Sequence, residues 1–131
     1  MRRPRIAVQF FLLLLVFLAM DAIWLTFAGQ RLYRPAIGHL MHEGFSIGPA
    51  VLFYLLHALG LVFFATLPAA RSRDALLRGA LFGLIAYATY DLTNQATLRD
   101  WPWKVTVVDL AWGAIVSGIS CAVAHRLTQR R

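Results

Sequence analysis

The sequence predicts an all-α membrane protein: four transmembrane helices packed as an antiparallel bundle, with both termini cytoplasmic. Three observations predict it. First, 60% of the 131 residues are hydrophobic and only 15% are charged, whereas a soluble domain is about 45–50% apolar and about 25% charged. Second, the apolar residues gather into four runs, each long enough for the roughly 20 helical residues that cross a bilayer. Third, the Lys and Arg residues lie almost wholly between and beyond those runs. A single core of this length cannot hide so much apolar surface from water. The same figures exclude a disordered chain and a coiled coil, and one cysteine, Cys121, excludes a disulfide scaffold.

The elements follow in order, within one domain covering residues 1–131. The first span is expected over 6–27. Its basic start and leucine-rich run resemble a signal peptide, but the run continues past Asp21 to Phe27 and no small-x-small cleavage site follows cleanly. Arg31, Arg34, Pro35 and Gly38 punctuate the first connection, residues 28–46. Leu32, Tyr33, Ile37, Leu40 and Met41 there suggest a partly helical segment lying in the outer interface. The second span is expected over 47–67, the third over 76–97 and the fourth over 104–125. Pro68 to Asp74 and Arg99 to Trp103 separate them. Short connections make sequential helices antiparallel neighbours. Overlaying the two hairpins aligns Asp21 with Asp91 and little else, so no internal repeat is inferred.

The net charge of +7 raises the question of nucleic acid. Binding of that kind needs basic residues clustered on one face beside groove-reading elements. Here the basic residues sort by side of the membrane instead. Arg2, Arg3, Arg5, Arg71, Arg73, Arg78, Arg126, Arg130 and Arg131 fall on one side, against Arg31, Arg34, Arg99 and Lys104 on the other. That bias places both termini in the cytoplasm and all four tryptophans in the outer half. The expected partner is the lipid bilayer, not nucleic acid.

Three of the six acids, Asp21, Asp91 and Asp109, lie inside predicted spans. A carboxylate there costs about 2.5–3.5 kcal/mol on insertion scales, and intramembrane acids are usually functional. With about 1.5 Å of rise per residue, each sits about 7–8 Å outward of the middle of its span. Three separate sequence positions therefore converge on one plane. Helical spacing adds company. Tyr87, Ala88, Asn94 and Gln95 share the face of Asp91, and Asp21 and Asp109 each carry a tryptophan three residues on, Trp24 and Trp112. Tyr54 and His57 share a face of the second span. A polar cluster of Asp21, Asp91, Asp109, Asn94, Tyr54 and His57 follows as a candidate proton or ion site.

Towards the cytoplasmic end, Gly79 and Gly83 on the third span and Gly113, Ser117 and Cys121 on the fourth recur at the four-residue spacing that lets membrane helices approach closely. Tight packing there and bulky polar groups above imply a site that opens outward. Three packed carboxylates cannot all stay ionised unaided. Shared protons, a bound cation, or a basic partner such as His57, Lys104 or Arg99 would relieve them. The bland alternative is that each Asp only hydrogen-bonds a neighbouring helix. His39, His42 and Glu43 form a weak half-site for a metal if helical, and solvated loop side chains are the simpler reading. The sequence indicates no cofactor, and no nucleophile elbow, phosphate loop or metalloprotease motif is present.

The stretch from Tyr87 to Asn94, its continuation Ala96 to Pro102, and Val105 to Gly113 together form a long motif. With the early Asp21-x-x-Trp24, it resembles the bacterial integral membrane family catalogued as domain of unknown function 2177. The resemblance implies a small four-helix bacterial inner-membrane protein and carries over no catalytic residue. Three function classes remain open. One is proton- or cation-linked transport of a small solute, which in so small a bundle requires a homo-oligomer. A second is a membrane-embedded enzyme acting on a lipid or apolar substrate, with carboxylates, Tyr and His in acid–base work. The third is a structural or accessory subunit.

Overall fold

The computed structural model describes residues 2–41 and 46–129. Four long helices carry the fold: α1 (Arg2–Ala28), α3 (Ile47–Leu61), α4 (Ser72–Thr97) and α5 (Trp103–Thr128). A short α2 (Arg34–Ile37) sits between α1 and α3. No strand occurs among the described residues. At about 1.5 Å per residue, α1, α4 and α5 each exceed the roughly 30 Å hydrocarbon thickness.

Two π turns adjust this plan. Each needs one residue more than an α turn, so it rotates everything beyond it. The first, Gly29–Tyr33, carries α1 without a break into α2. The chain therefore stays helical as far as Leu40, across the Arg31, Arg34, Pro35 and Gly38 positions that read as punctuation. Pro35 follows directly on the π turn, where the hydrogen-bond register already shifts, so the chain passes it without leaving the helix. The second π turn, Val62–Thr66, closes α3 with the Leu67 amide donating to the Val62 carbonyl at 2.9 Å. α4 starts where the Arg71 amide donates to the Asp74 carboxylate at 3.3 Å, an acid in the first turn facing the positive end of the helix dipole.

α5 is the central element. Its largest interface is with α4, and it also packs on α1 and on the 62–66 turn. The α4–α5 seam is as close as the small residues predict. A Cβ on Gly83 would stand 2.2 Å from the Gly113 carbonyl oxygen, and one on Gly79 2.7 Å from the Cys121 Sγ. Leu13, Phe17, Leu61, Val62 and Val116 fill the interior completely. The exterior carries Phe11, Leu15, Ile23, Leu56, Phe64 and Ile85, all strongly exposed. Such a surface is tolerable only against lipid.

The termini meet at one end of the bundle, where Arg5 Nη2 donates to the Thr128 carbonyl at 3.0 Å. Beside it the buried Gln9 donates to Thr128 Oγ1 at 3.0 Å and accepts from Thr66 Oγ1 at 3.3 Å. His125 bonds Ser72 and the Ala69 carbonyl, both at 3.0 Å, which ties the α3–α4 connection to α5. At the opposite end Ile37, Trp101 and Val105 form a second small core with Tyr33 and Ala36.

By length and composition, three helical stretches qualify as membrane spans: 5–40, 47–66 and 103–128. α4 is as long as α5 but less apolar. Arg78, Asp91, Asn94 and Gln95 dilute its apolar run. α4 is instead held by its close seam with α5.

Candidate functional site

The three intramembrane aspartates are all buried, and the structure divides them into two arrangements. Asp21, on α1, is fully engaged. Tyr54 of α3 donates to its Oδ2 at 2.5 Å, and Trp112 Nε1 of α5 donates to its Oδ1 at 3.0 Å. One carboxylate thereby joins three helices. Asp91 and Asp109 form the second arrangement across the α4–α5 seam, close enough for each to feel the other's charge. Asp109 accepts from the Tyr33 hydroxyl, and Tyr33 in turn accepts from Trp24 Nε1 at 3.1 Å. Asp91 is 0% exposed, and neither of its oxygens has a hydrogen-bond donor among the described residues.

Sequence reasoning missed Tyr33. It read as an apolar contributor to an interfacial segment, whereas the Gly29–Tyr33 turn keeps the helix going and aims the ring at Asp109. On a regular α-helix Trp24, nine residues earlier, would face the opposite side, two and a half turns away; the π turn brings Tyr33 round to it, and nothing in the periodicity signals that.

Other candidates settle elsewhere. His57 is buried, but its Nε2 lies 2.9 Å from Ser117 Oγ and not against a carboxylate. The rings of Phe17, Phe53, Phe82 and Tyr87 surround it, with centroids 5.1–6.0 Å away. Asn94 is within reach of the Tyr90 hydroxyl, one turn back on the same helix. Gln95 joins a different network: it donates to the Trp101 carbonyl at 2.6 Å and accepts from Thr106 at 2.7 Å. Thr106 in turn accepts from Trp101 Nε1 at 3.1 Å, so this network fixes the α4–α5 loop. Tyr87 lies between α3 and α5, its ring near Phe53 and His57. Its ring presses on Gly113, where a Cβ would stand 2.4 Å from it, and its hydroxyl lies in the electrostatic range of Asp21 and Asp109.

The basic partners suggested by position do not reach the acids. Arg99 and Lys104 are exposed. The one ion pair among the described residues joins His39 and Asp100 at 3.4 Å, both well exposed. His42 and Glu43, the remainder of the weak metal half-site, lie outside the described residues. Among the described residues no three His, Cys, Asp or Glu side chains come together as a metal site. Chemically, the Asp91–Asp109 pair is suited to holding one proton between two carboxyls in a dry seam.

A family model described as a predicted membrane protein, DUF2177, matches residues 6–125. The chain belongs to the DUF2177 family. That match spans all four long helices and all three intramembrane aspartates. No curated protein and no solved structure matches this DUF2177 chain.

Proposed function

We propose that this DUF2177 protein is an inner-membrane protein of proton-linked solute transport, and that the Asp91–Asp109 pair is its proton-binding site. The observation that carries the reading is Asp91: fully buried, without a donor on either oxygen among the described residues, and close enough to a second carboxyl to feel its charge. Two ionised carboxylates at that separation repel, whereas one shared proton turns the repulsion into a hydrogen bond. A group that binds a proton in a dry seam and can give it up is the working part of a proton-coupled carrier.

The positive-inside bias supports cytoplasmic termini, with the acidic pair in the outer half. Asp21 has a different role in this reading, because Tyr54 and Trp112 already satisfy it and it joins three helices. His57, bonded to Ser117, offers the carboxyls no acid–base partner, which favours proton binding over an enzyme built on an acid–histidine pair. A bundle this narrow supports a solute path between two copies.

The test is infrared spectroscopy of the protein in lipid nanodiscs. A protonated-carboxyl band at neutral pH, absent from both Asp91→Asn and Asp109→Asn, is the expected result. Identical carboxyl bands in wild type and in both variants would overturn the reading.

A further inference from the structure

The backbones of α3 and α4 come closest at the 62–66 turn; beyond it side chains bridge them, Phe82 and Tyr87 against His57 and Tyr87 against Phe53, and a gap opens towards the Ile47 end of α3. The gap is a cleft of about 320 Å³ lined by Phe53 of α3 and by Ala86, Tyr87 and Tyr90 of α4. Phe53 and Tyr90 are 40% and 57% exposed, on the outer face of the bundle. At the depth of a membrane span that face meets lipid, not water. The cleft is thus a lateral opening, almost wholly aromatic, and its inner wall is Tyr87.

Tyr87 and Asp91 are four residues apart on one helical face. The Tyr87 ring separates the cleft from Gly113 of α5, and its hydroxyl lies in the field of Asp21 and Asp109. Behind an apolar aromatic entrance therefore stand acids with no Lys or Arg paired to them among the described residues. Aromatic faces attract cations, and they do so best where water is excluded. A neutral lipid would gain nothing from the acids, and an anion would be repelled.

We propose that this cleft admits a lipophilic organic cation from the lipid phase, which passes Tyr87 and takes the place of the proton held by Asp91 and Asp109. The proposal rests on the proton-binding reading of that pair. The exchange balances: one cation enters, one proton leaves the carboxyl pair for water, and the site's net charge is unchanged. No covalent bond other than O–H breaks.

The probe is tetraphenylphosphonium, whose charge is permanent. Its neutral comparison is triphenylphosphine oxide. Calorimetry on the protein in nanodiscs, repeated in two buffers of different ionisation enthalpy, reads affinity and proton release together. Wild type is expected to bind the cation at least about tenfold more tightly than the oxide, and to release about one proton per cation bound. Ala86→Leu, which fills the cleft, is expected to weaken cation binding about tenfold or more. Equal binding of cation and oxide would reduce the cleft to an apolar pocket and overturn the proposal. So would undiminished cation binding by a folded Ala86→Leu variant, or binding without proton release. If wild type binds no cation while its infrared carboxyl band still depends on Asp91, this proposal fails and proton binding stands. If that band is missing as well, the underlying reading fails too.

Discussion

Trp24 and Trp112 stack face to face, with ring centroids 4.7 Å apart and planes 12° from parallel. Each indole turns its N–H to a different part of the polar seam. Trp112 donates to Asp21, and Trp24 donates to Tyr33, which donates to Asp109. The stacked pair is thus the hinge between the two carboxyl arrangements and the main tie between α1 and α5 at this depth. Aromatic pairs of this kind add about 0.5–1.5 kcal/mol beyond the area they bury.

Trp112→Phe keeps an aromatic ring at the stack and deletes the donor to Asp21. Side-chain hydrogen bonds in membranes average about 0.6 kcal/mol, but a buried carboxylate left short of a donor costs more. A loss of about 1–2 kcal/mol is expected from reversible unfolding in mixed micelles. Asp21→Asn combined with Trp112→Phe should cost clearly less than the two single losses added, because the partners are in contact. Strict additivity would show that the 3.0 Å bond contributes nothing.

Gly83→Ala tests the α4–α5 seam. The new methyl would meet the Gly113 carbonyl oxygen at 2.2 Å and Ser117 Oγ at 2.4 Å, and the backbone oxygen cannot swing aside. A destabilisation of about 1–3 kcal/mol or more is expected, as for other overpacked interiors. Gly29→Ala has nothing within 4 Å and should be neutral or slightly stabilising. Equal melting temperatures for the two variants would show that the seam is looser than described.

His57 and Ser117 form an unequal pair. Ser117→Ala leaves a buried imidazole nitrogen without its partner, at a cost of about 1–3 kcal/mol. His57→Phe leaves only a hydroxyl, which can turn to the carbonyl four residues back in its own helix. The added ring also suits a site already walled by Phe17, Phe53 and Phe82. Thermal unfolding in detergent should therefore rank Ser117→Ala below His57→Phe, and the reverse order would refute the account.

Gln9→Leu should be nearly silent, within about 1 kcal/mol in the same unfolding assay. Both partners of Gln9 hold a second bond inside their own helices. Thr66 donates to the Val62 carbonyl at 3.1 Å, and Thr128 donates to the Ala124 carbonyl at 2.8 Å. A loss of several kcal/mol would mean that this end depends on the cross-helix bonds and not on those fallbacks.

Much of the fold was legible because hydropathy and helical length are local. The runs at 6–27, 47–67, 76–97 and 104–125 fall on the helices Arg2–Ala28, Ile47–Leu61 with its π turn, Ser72–Thr97 and Trp103–Thr128. The continuation to Leu40 was not legible. Pro35 and Gly38 are breakers on average, and only the place of Pro35 directly after a π turn lets the helix continue past it. The sequence also expected Asp21, Asp91 and Asp109 at one depth, since rise per residue is constant. Depth says nothing about rotation. His57 lies a single turn from Tyr54 yet bonds Ser117, while Tyr54 bonds Asp21.

By itself, then, the sequence determined what kind of solvent surrounds this protein and how many long helices it has. Only the tertiary structure decided that Asp91 faces Asp109 while Asp21 is held by Tyr54 and Trp112, that Tyr33 belongs with them, and that α3 leans away from α4. The physical reason is that hydropathy, rise and periodicity belong to one helix at a time. Which side chains meet depends on how far each helix is turned and tilted, and here two π turns and the glycine seam at Gly79, Gly83 and Gly113 set that turn.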